Sequence, residues 1–146
     1  MPGPLSQPER EEFLAEPQVG VVSVASDDGR PPLTVPVWYA YEPGGNLSFF
    51  TNTQGRRSRK DCLIETAGVL SFSVQHGEVP YKYVTVEGTV VGADRPPSEE
   101  QMLAVARRYL PQDAAQGFVE GELSHPARQL VLFTVRPDRW LSFEFG

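Results

Sequence analysis

Two segments of this 146-residue chain, LTVPVWYAY (33–41) and LSFFTN (47–52), are apolar on both faces of a strand. Alternation sets Val35, Val37 and Tyr39 against Trp38 and Ala40, and Phe49 against Phe50. A sheet made of such strands has to be covered twice. One face can fill the inside of a small barrel, but the other needs a second layer.

The same period of two recurs along the chain. VGVVSVAS (19–26) ends at Asp27-Asp28-Gly29, and the 33–41 strand ends at Glu42-Pro43-Gly44-Gly45-Asn46. VLSFSVQH (69–76) and YKYVTVEGTVVGA (81–93) flank Gly77-Glu78-Val79-Pro80, while QLVLFTVR (129–136) and WLSFEF (140–145) read as a terminal hairpin around Pro137-Asp138.

Helical signals fall between the strands. Ser6 and Glu9 have capping-box spacing before a short helix that Pro17 stops, and residues 60–66 read as a second helix. Between Pro96 and Ser124, Ser98 and Gln101 open a helix whose stripe of Met102, Leu103, Val105, Ala106, Tyr109 and Leu110 faces the core, with Arg107 and Arg108 facing water.

Six to seven strands and two to four short helices indicate a mainly β, antiparallel barrel, because such a sheet rolls up to remove its edges. One domain over 1–146 suffices for a genuine core, with 1–5 as a flexible arm. Two helices do not cover the outer face, so a homodimer interface is expected there.

Charge gives the functional signal. Arg56, Arg57, Arg59 and Lys60 crowd into five positions of a chain whose net charge is −6. They follow a strand and precede a helix, whose N-terminal end already carries partial positive charge and disfavours cations. A bound anion reverses that sign: Arg57, Ser58, Arg59, Lys60 and the free N–H groups of the first turn would converge on a phosphate. The competing reading is a solvated basic turn. An acidic chain with one short basic patch is not a nucleic-acid binder, and no long apolar span suggests a membrane segment. The single Cys62, read as a buried or half-buried helix residue, allows no internal disulfide and points to the cytoplasm. His76 and His125 read as turn or surface residues, no metal-ligand spacing appears, and no side chain is assigned a catalytic role.

The order of these segments, with FFTN (49–52), SRK (58–60) and VEG (86–88) at its specific points, resembles the pyridoxamine 5'-phosphate oxidase-like split β-barrels over about residues 10–145. The resemblance implies an FMN-dependent oxidoreductase acting on a small molecule, with hydride moving through the flavin N5. It implies that the backbone at Val35, Pro36, Val37 and Trp38 lines the flavin, that Phe50 and Thr51 flank the ribityl chain, and that Ser58, Arg59 and Lys60 hold the phosphate. Gln75 and Tyr83 are candidates for supporting the ring or phosphate, although Gln75 also reads as a polar residue on an outward strand face. Trp140 stacks near the cofactor across a dimer or packs in the core.

Departures matter too. The chain ends RPDRWLSFEFG, without the Arg-x-His substrate motif of a true pyridoxamine 5'-phosphate oxidase, and Thr34 stands near a position where those oxidases use Arg. Oxidation of vitamin B6 is therefore not expected. Two alternatives stay open: the deazaflavin coenzyme F-420, whose anionic tail would use the surplus cations, and a non-catalytic flavin or haem carrier or sensor.

Overall fold

The structure, a computed structural model, describes residues 2–52, 58–124 and 130–146. Helix α1 (Gln7–Ala15) starts with both halves of its capping box in place, the Ser6 hydroxyl accepting from the Glu9 N–H and the Glu9 carboxylate accepting from the Ser6 N–H. Seven strands form one antiparallel sheet: β1 (Gly20–Val24), β2 (Leu33–Val37), β3 (Tyr39–Tyr41), β4 (Leu47–Asn52), β5 (Val69–His76), β6 (Lys82–Asp94) and β7 (Leu130–Glu144).

Their order is β2-β1-β5-β6-β7-β4-β3. The two marginal strands are separated in sequence by Trp38 alone, so both margins are one stretch of chain and the sheet closes into a split barrel. The segment read as one strand from 33 to 41 is thus two. The Trp38 ring stacks on Tyr109 with centroids 4.8 Å apart, and the Tyr39 N–H donates to the Tyr109 hydroxyl at 3.1 Å.

Inside the barrel the inward rows meet as the alternation requires. Tyr39, Phe49, Phe72, Val84, Val86 and Phe133 are buried in one cluster. Helix α1 adds Phe13 and Leu14 to it, and α2 (Arg59–Ala67) adds Leu63 and Ile64. The VEG glycine, Gly88, sits at a register shift between β6 and β7, where a Cβ would lie 2.5 Å from Val135 Cγ1 and 2.8 Å from the Arg136 carbonyl oxygen.

Outside, the second layer covers half the barrel. Helices α3 (Glu99–Tyr109) and α4 (Gln112–Ser124), parted by Pro111, bury Met102 and Val119 against the outward-facing Phe50 and Leu130. Among the described residues, no helix lies over the outer face of β1, β5, β6 and the second half of β7. There Val21, Ser73, Thr85 and Leu141 form one cross-strand row, with Val21 36% and Leu141 45% exposed.

Four further expectations change. The terminal hairpin is absent: β7 runs unbroken through Pro137 and Asp138, since Pro137 lies at the register shift, where the ladder is already interrupted. The arm read at 1–5 is tied down at its described residues, Gly3 exchanging both backbone hydrogen bonds with Glu144 and Leu5 being buried. Arg108 turns inward rather than to water, donating from Nη2 to the Leu14 and Glu16 carbonyl oxygens at 2.9 Å each. Cys62 is exposed, because α2 turns its Leu63–Ile64 face to the barrel.

Candidate functional site

Helix α2 begins where the sequence concentrates charge. Ser58 is its N-cap, accepting from the Asp61 N–H at 3.3 Å, and Gly68 ends it in the left-handed region at φ 71°. The cap uses only an acceptor site of Ser58, so its hydroxyl proton remains to be donated. Arg59 and Lys60 occupy the first two helical positions.

Arg59 reaches across to the turn after β1. Its Nη2 donates to Ser26 Oγ at 2.8 Å and lies 3.6 Å from Asp28 Oδ1. Ser26 follows Ala25, and Ala25 with Ser23, Pro32, Val69, Ser71, Glu87 and Arg139 lines an open groove of about 670 Å³ on the bare outer face. Arg59 thus bonds the chain neighbour of a residue in that groove's wall. Further along β5, Gln18, Val19, Val21, Ser73 and Gln75 line a second hollow of about 560 Å³. Ser71 and Gln75 are separated by about 13 Å along β5 at the usual strand rise.

Of the residues read from the sequence, Ser58, Arg59 and Lys60 thus open α2, with Arg59 bonded to Ser26 beyond β1, and Gln75 pairs with Tyr83 on the bare face. Pro36 is on this face too, opposite Val21, while Val35 and Val37 pack on the core. Trp38 and Phe50 lie on the other half of the outer surface, both against Phe118 with centroids 6.3 Å apart. Trp140 shares the inward face of Val86 and packs edge-on to Tyr41, with Arg10 over its ring. It lies on the opposite face of the sheet from Gln75 and Tyr83. Thr51 faces inward at the end of β4, and its hydroxyl is buried with no hydrogen-bond partner among the described residues. Arg56, Arg57 and His125 lie outside the described residues. His76 ends β5, its Nδ1 3.0 Å from the Glu78 carbonyl oxygen, and the described residues contain no group of side chains suited to a metal ion.

Sequence reasoning missed Ser26, Asp61 and Arg95. Asp61, in the first turn of α2, is fully buried and bonded to Arg95, which also pairs with Glu65 one turn further on. Burial acts to lower the Arg95 pKa, but the hydrogen bonds and charges of Asp61 and Glu65 outweigh it and hold it above the ordinary value. Stripping such a buried carboxylate of its partner typically costs about 3–5 kcal/mol. The Ser58-x-x-Asp61 spacing was a readable helix start, whereas Arg95, on the link from β6 to α3, carries no local signal.

Among known proteins, residues 6–143 match the family model described as pyridoxamine 5'-phosphate oxidase. An F420 reductase of known structure is 25% identical, with a TM-score of 0.68 over 90% of this chain and 94% of that one. A FAD-binding protein from Mesorhizobium loti (21% identical, TM-score 0.65, covering 100% and 99%) and the haem storage protein HutZ from Vibrio cholerae (15%, 0.69, 95% and 95%) share the fold. No curated protein matches the sequence. No helix among the described residues is long and apolar enough to cross a membrane. With the family match running from the cap of α1 almost to the end of β7, the chain belongs to the pyridoxamine 5'-phosphate oxidase family.

Proposed function

We propose that this chain is a flavin-type oxidoreductase that holds the phosphate of FMN at the first turn of α2. One observation supports the reading: Ser58 caps α2, Arg59 and Lys60 open it, and Arg59 bonds Ser26, the chain neighbour of groove-lining Ala25, while the helix N-terminus adds its own positive potential. A bound flavin supplies reversible hydride acceptance at its N5. The chain's own residues supply anchorage and orientation. Arg59 offers a two-pronged donor and Lys60 a point charge, and the weak Arg59–Asp28 pair yields to a better acceptor.

The bare face supports a homodimer. It exposes Val21 and Leu141 at the ends of one cross-strand row, and Trp38 and Phe50 lie on the half of the barrel that a single copy cannot fold over Gln75 and Tyr83. Joining two copies sets the two halves of one site face to face. An exposed, unpaired Cys62 fits a reducing cytoplasm.

The F-420 reading is favoured by the likeness to an F420 reductase over nearly the full length of both chains. Titrating the purified protein with FMN and with F-420, followed by absorption and fluorescence, separates the two. Arg59→Ala with Lys60→Ala then tests the site: a loss of at least about a hundredfold in affinity is expected from two charge-assisted contacts of about 1.5–3 kcal/mol each. Unchanged affinity for both cofactors would overturn the phosphate site.

A further inference from the structure

Beyond Val135, which lies opposite Leu47 at the start of β4, strand β7 runs on to Glu144 with β6 as its ladder partner. Helix α1 and the 44–46 turn flank the gap this leaves, and between them is a hollow of about 290 Å³. Its walls carry Tyr41 and Trp140, packed edge to face with ring centres 6.1 Å apart, and two guanidinium groups, Arg10 and Arg136. Gln7, Arg10 and Glu11 reach it together because residues three and four apart share one face of α1.

What the hollow leaves unanswered is Arg10. Glu11, the carboxylate in the same wall, accepts from Gln7 Nε2 at 3.1 Å instead. Among the described residues Arg10 forms no ion pair, and its Nε is buried without a hydrogen-bond partner. Its guanidinium carbon lies 4.9 Å from the centre of the Trp140 ring, a contact that attracts the charge but supplies no lone pair to the N–H donors. Arg136 meets Asp138 through Nε at 2.9 Å, and the second Asp138 oxygen takes the Thr89 hydroxyl. The Tyr41 hydroxyl accepts from the Gly44 N–H at 3.4 Å, which leaves its own proton to donate, and burial raises the phenol pKa so that the proton stays on.

We propose that this hollow is a second binding site, for a small aromatic carboxylate: the ring packs on the wall of Tyr41 and Trp140, and the carboxylate accepts from Arg10, Arg136 and the Tyr41 hydroxyl. Guanidinium groups are suited to carboxylates because they donate two parallel hydrogen bonds. The volume falls just below the range of about 300–1,000 Å³ usual for drug-sized ligands, which suits a ligand of one ring. Trp140 faces away from the side of the sheet that carries Gln75 and Tyr83, so the site stands whether or not α2 takes a phosphate.

The test titrates benzoate, benzamide and acetate into the intact protein by calorimetry, with the Trp140 indole N–H resonance, assigned through Trp140→Phe, as the local reporter. Benzoate is expected to bind with a Kd of about 1 mM or tighter and to move that resonance. Benzamide, which lacks the charge, and acetate, which lacks the ring, should each bind at least about tenfold more weakly. Arg10→Gln with Arg136→Gln should weaken benzoate by at least about tenfold, while Arg107→Gln, at an exposed position on α3, leaves it within about twofold. The proposal is overturned if benzoate fails to bind below about 10 mM, binds no better than benzamide or acetate, leaves the Trp140 resonance in place, or keeps its affinity without both arginines. An equal loss in Arg107→Gln overturns it too, since the attraction would then belong to no one site. Should the double variant fail to fold, Arg136→Gln alone, at an exposed position, should cost at least about threefold, and unchanged affinity there overturns the site.

Discussion

The Arg108 guanidinium lies 4.5 Å from the centre of the Tyr39 ring, sandwiching that ring between α3 and the barrel core. The same guanidinium donates to the carbonyl oxygens of Leu14 and Glu16, at the C-terminal end of α1, where helix carbonyls lack partners. Tyr39 adds its own hydroxyl to the Leu14 oxygen at 2.9 Å. Arg108→Ala should therefore cost more than about 1.5 kcal/mol in urea unfolding, well above a surface substitution. Arg107→Ala, at an exposed position one residue earlier, serves as the control and should stay within about 0.5 kcal/mol.

Tyr39 also sets an alkaline limit. Burial raises its phenol pKa above the ordinary value, with Arg108 acting in the opposite direction. The folded state thus holds the proton more tightly than the unfolded chain. Stability from this group is fully present below about pH 10 and falls as pH rises through the window above it, by up to about 1.4 kcal/mol per unit. Tyr39→Phe should be less stable at neutral pH, because it loses the bond to Leu14, yet show a shallower decline between about pH 10 and 11.5. Denaturant melts across that range check both parts.

Under the helical hairpin, depth separates neighbours. Met102 is 2% exposed, while Leu103 is only half-buried at the rim of the same cluster. Met102→Ala should cost about 2–5 kcal/mol and Leu103→Ala clearly less. Equal losses in thermal or chemical unfolding would show that both are equally enclosed.

The bare face makes a prediction about assembly. Light scattering at micromolar concentration should show a dimer, and Leu141→Arg, at the end of the cross-strand row that begins at Val21, should shift it to monomer without lowering the stability of the barrel. Persistence of the dimer in that variant would place the interface elsewhere.

What the sequence disclosed and what it hid divide along a physical line. Phe49 and Phe50 could be sent to opposite sides because strand alternation is local, and both lie where that reading put them. The cap at Ser58 and the cations beside it were legible for the same reason. The break at Trp38 was not, because Tyr109 causes it from far along the chain. Pro137-Asp138 looks like a turn in isolation, but Thr89 holds the Asp138 carboxylate at 2.6 Å across the ladder and the strand continues. Arg108 looked like a solvated charge until the carbonyl oxygens it reaches were in view, and Arg95 gave no local sign of the carboxylate it bonds.

Strand β7 lies between β6 and β4 in the sheet, although those two are made long before it. During synthesis the emerging chain must therefore carry two unpaired strand edges, each open to pairing with another molecule, until residues 130–144 arrive. Closure of the barrel is a late event by construction. Interrupting translation before this point leaves an open, sticky sheet rather than a smaller version of the fold.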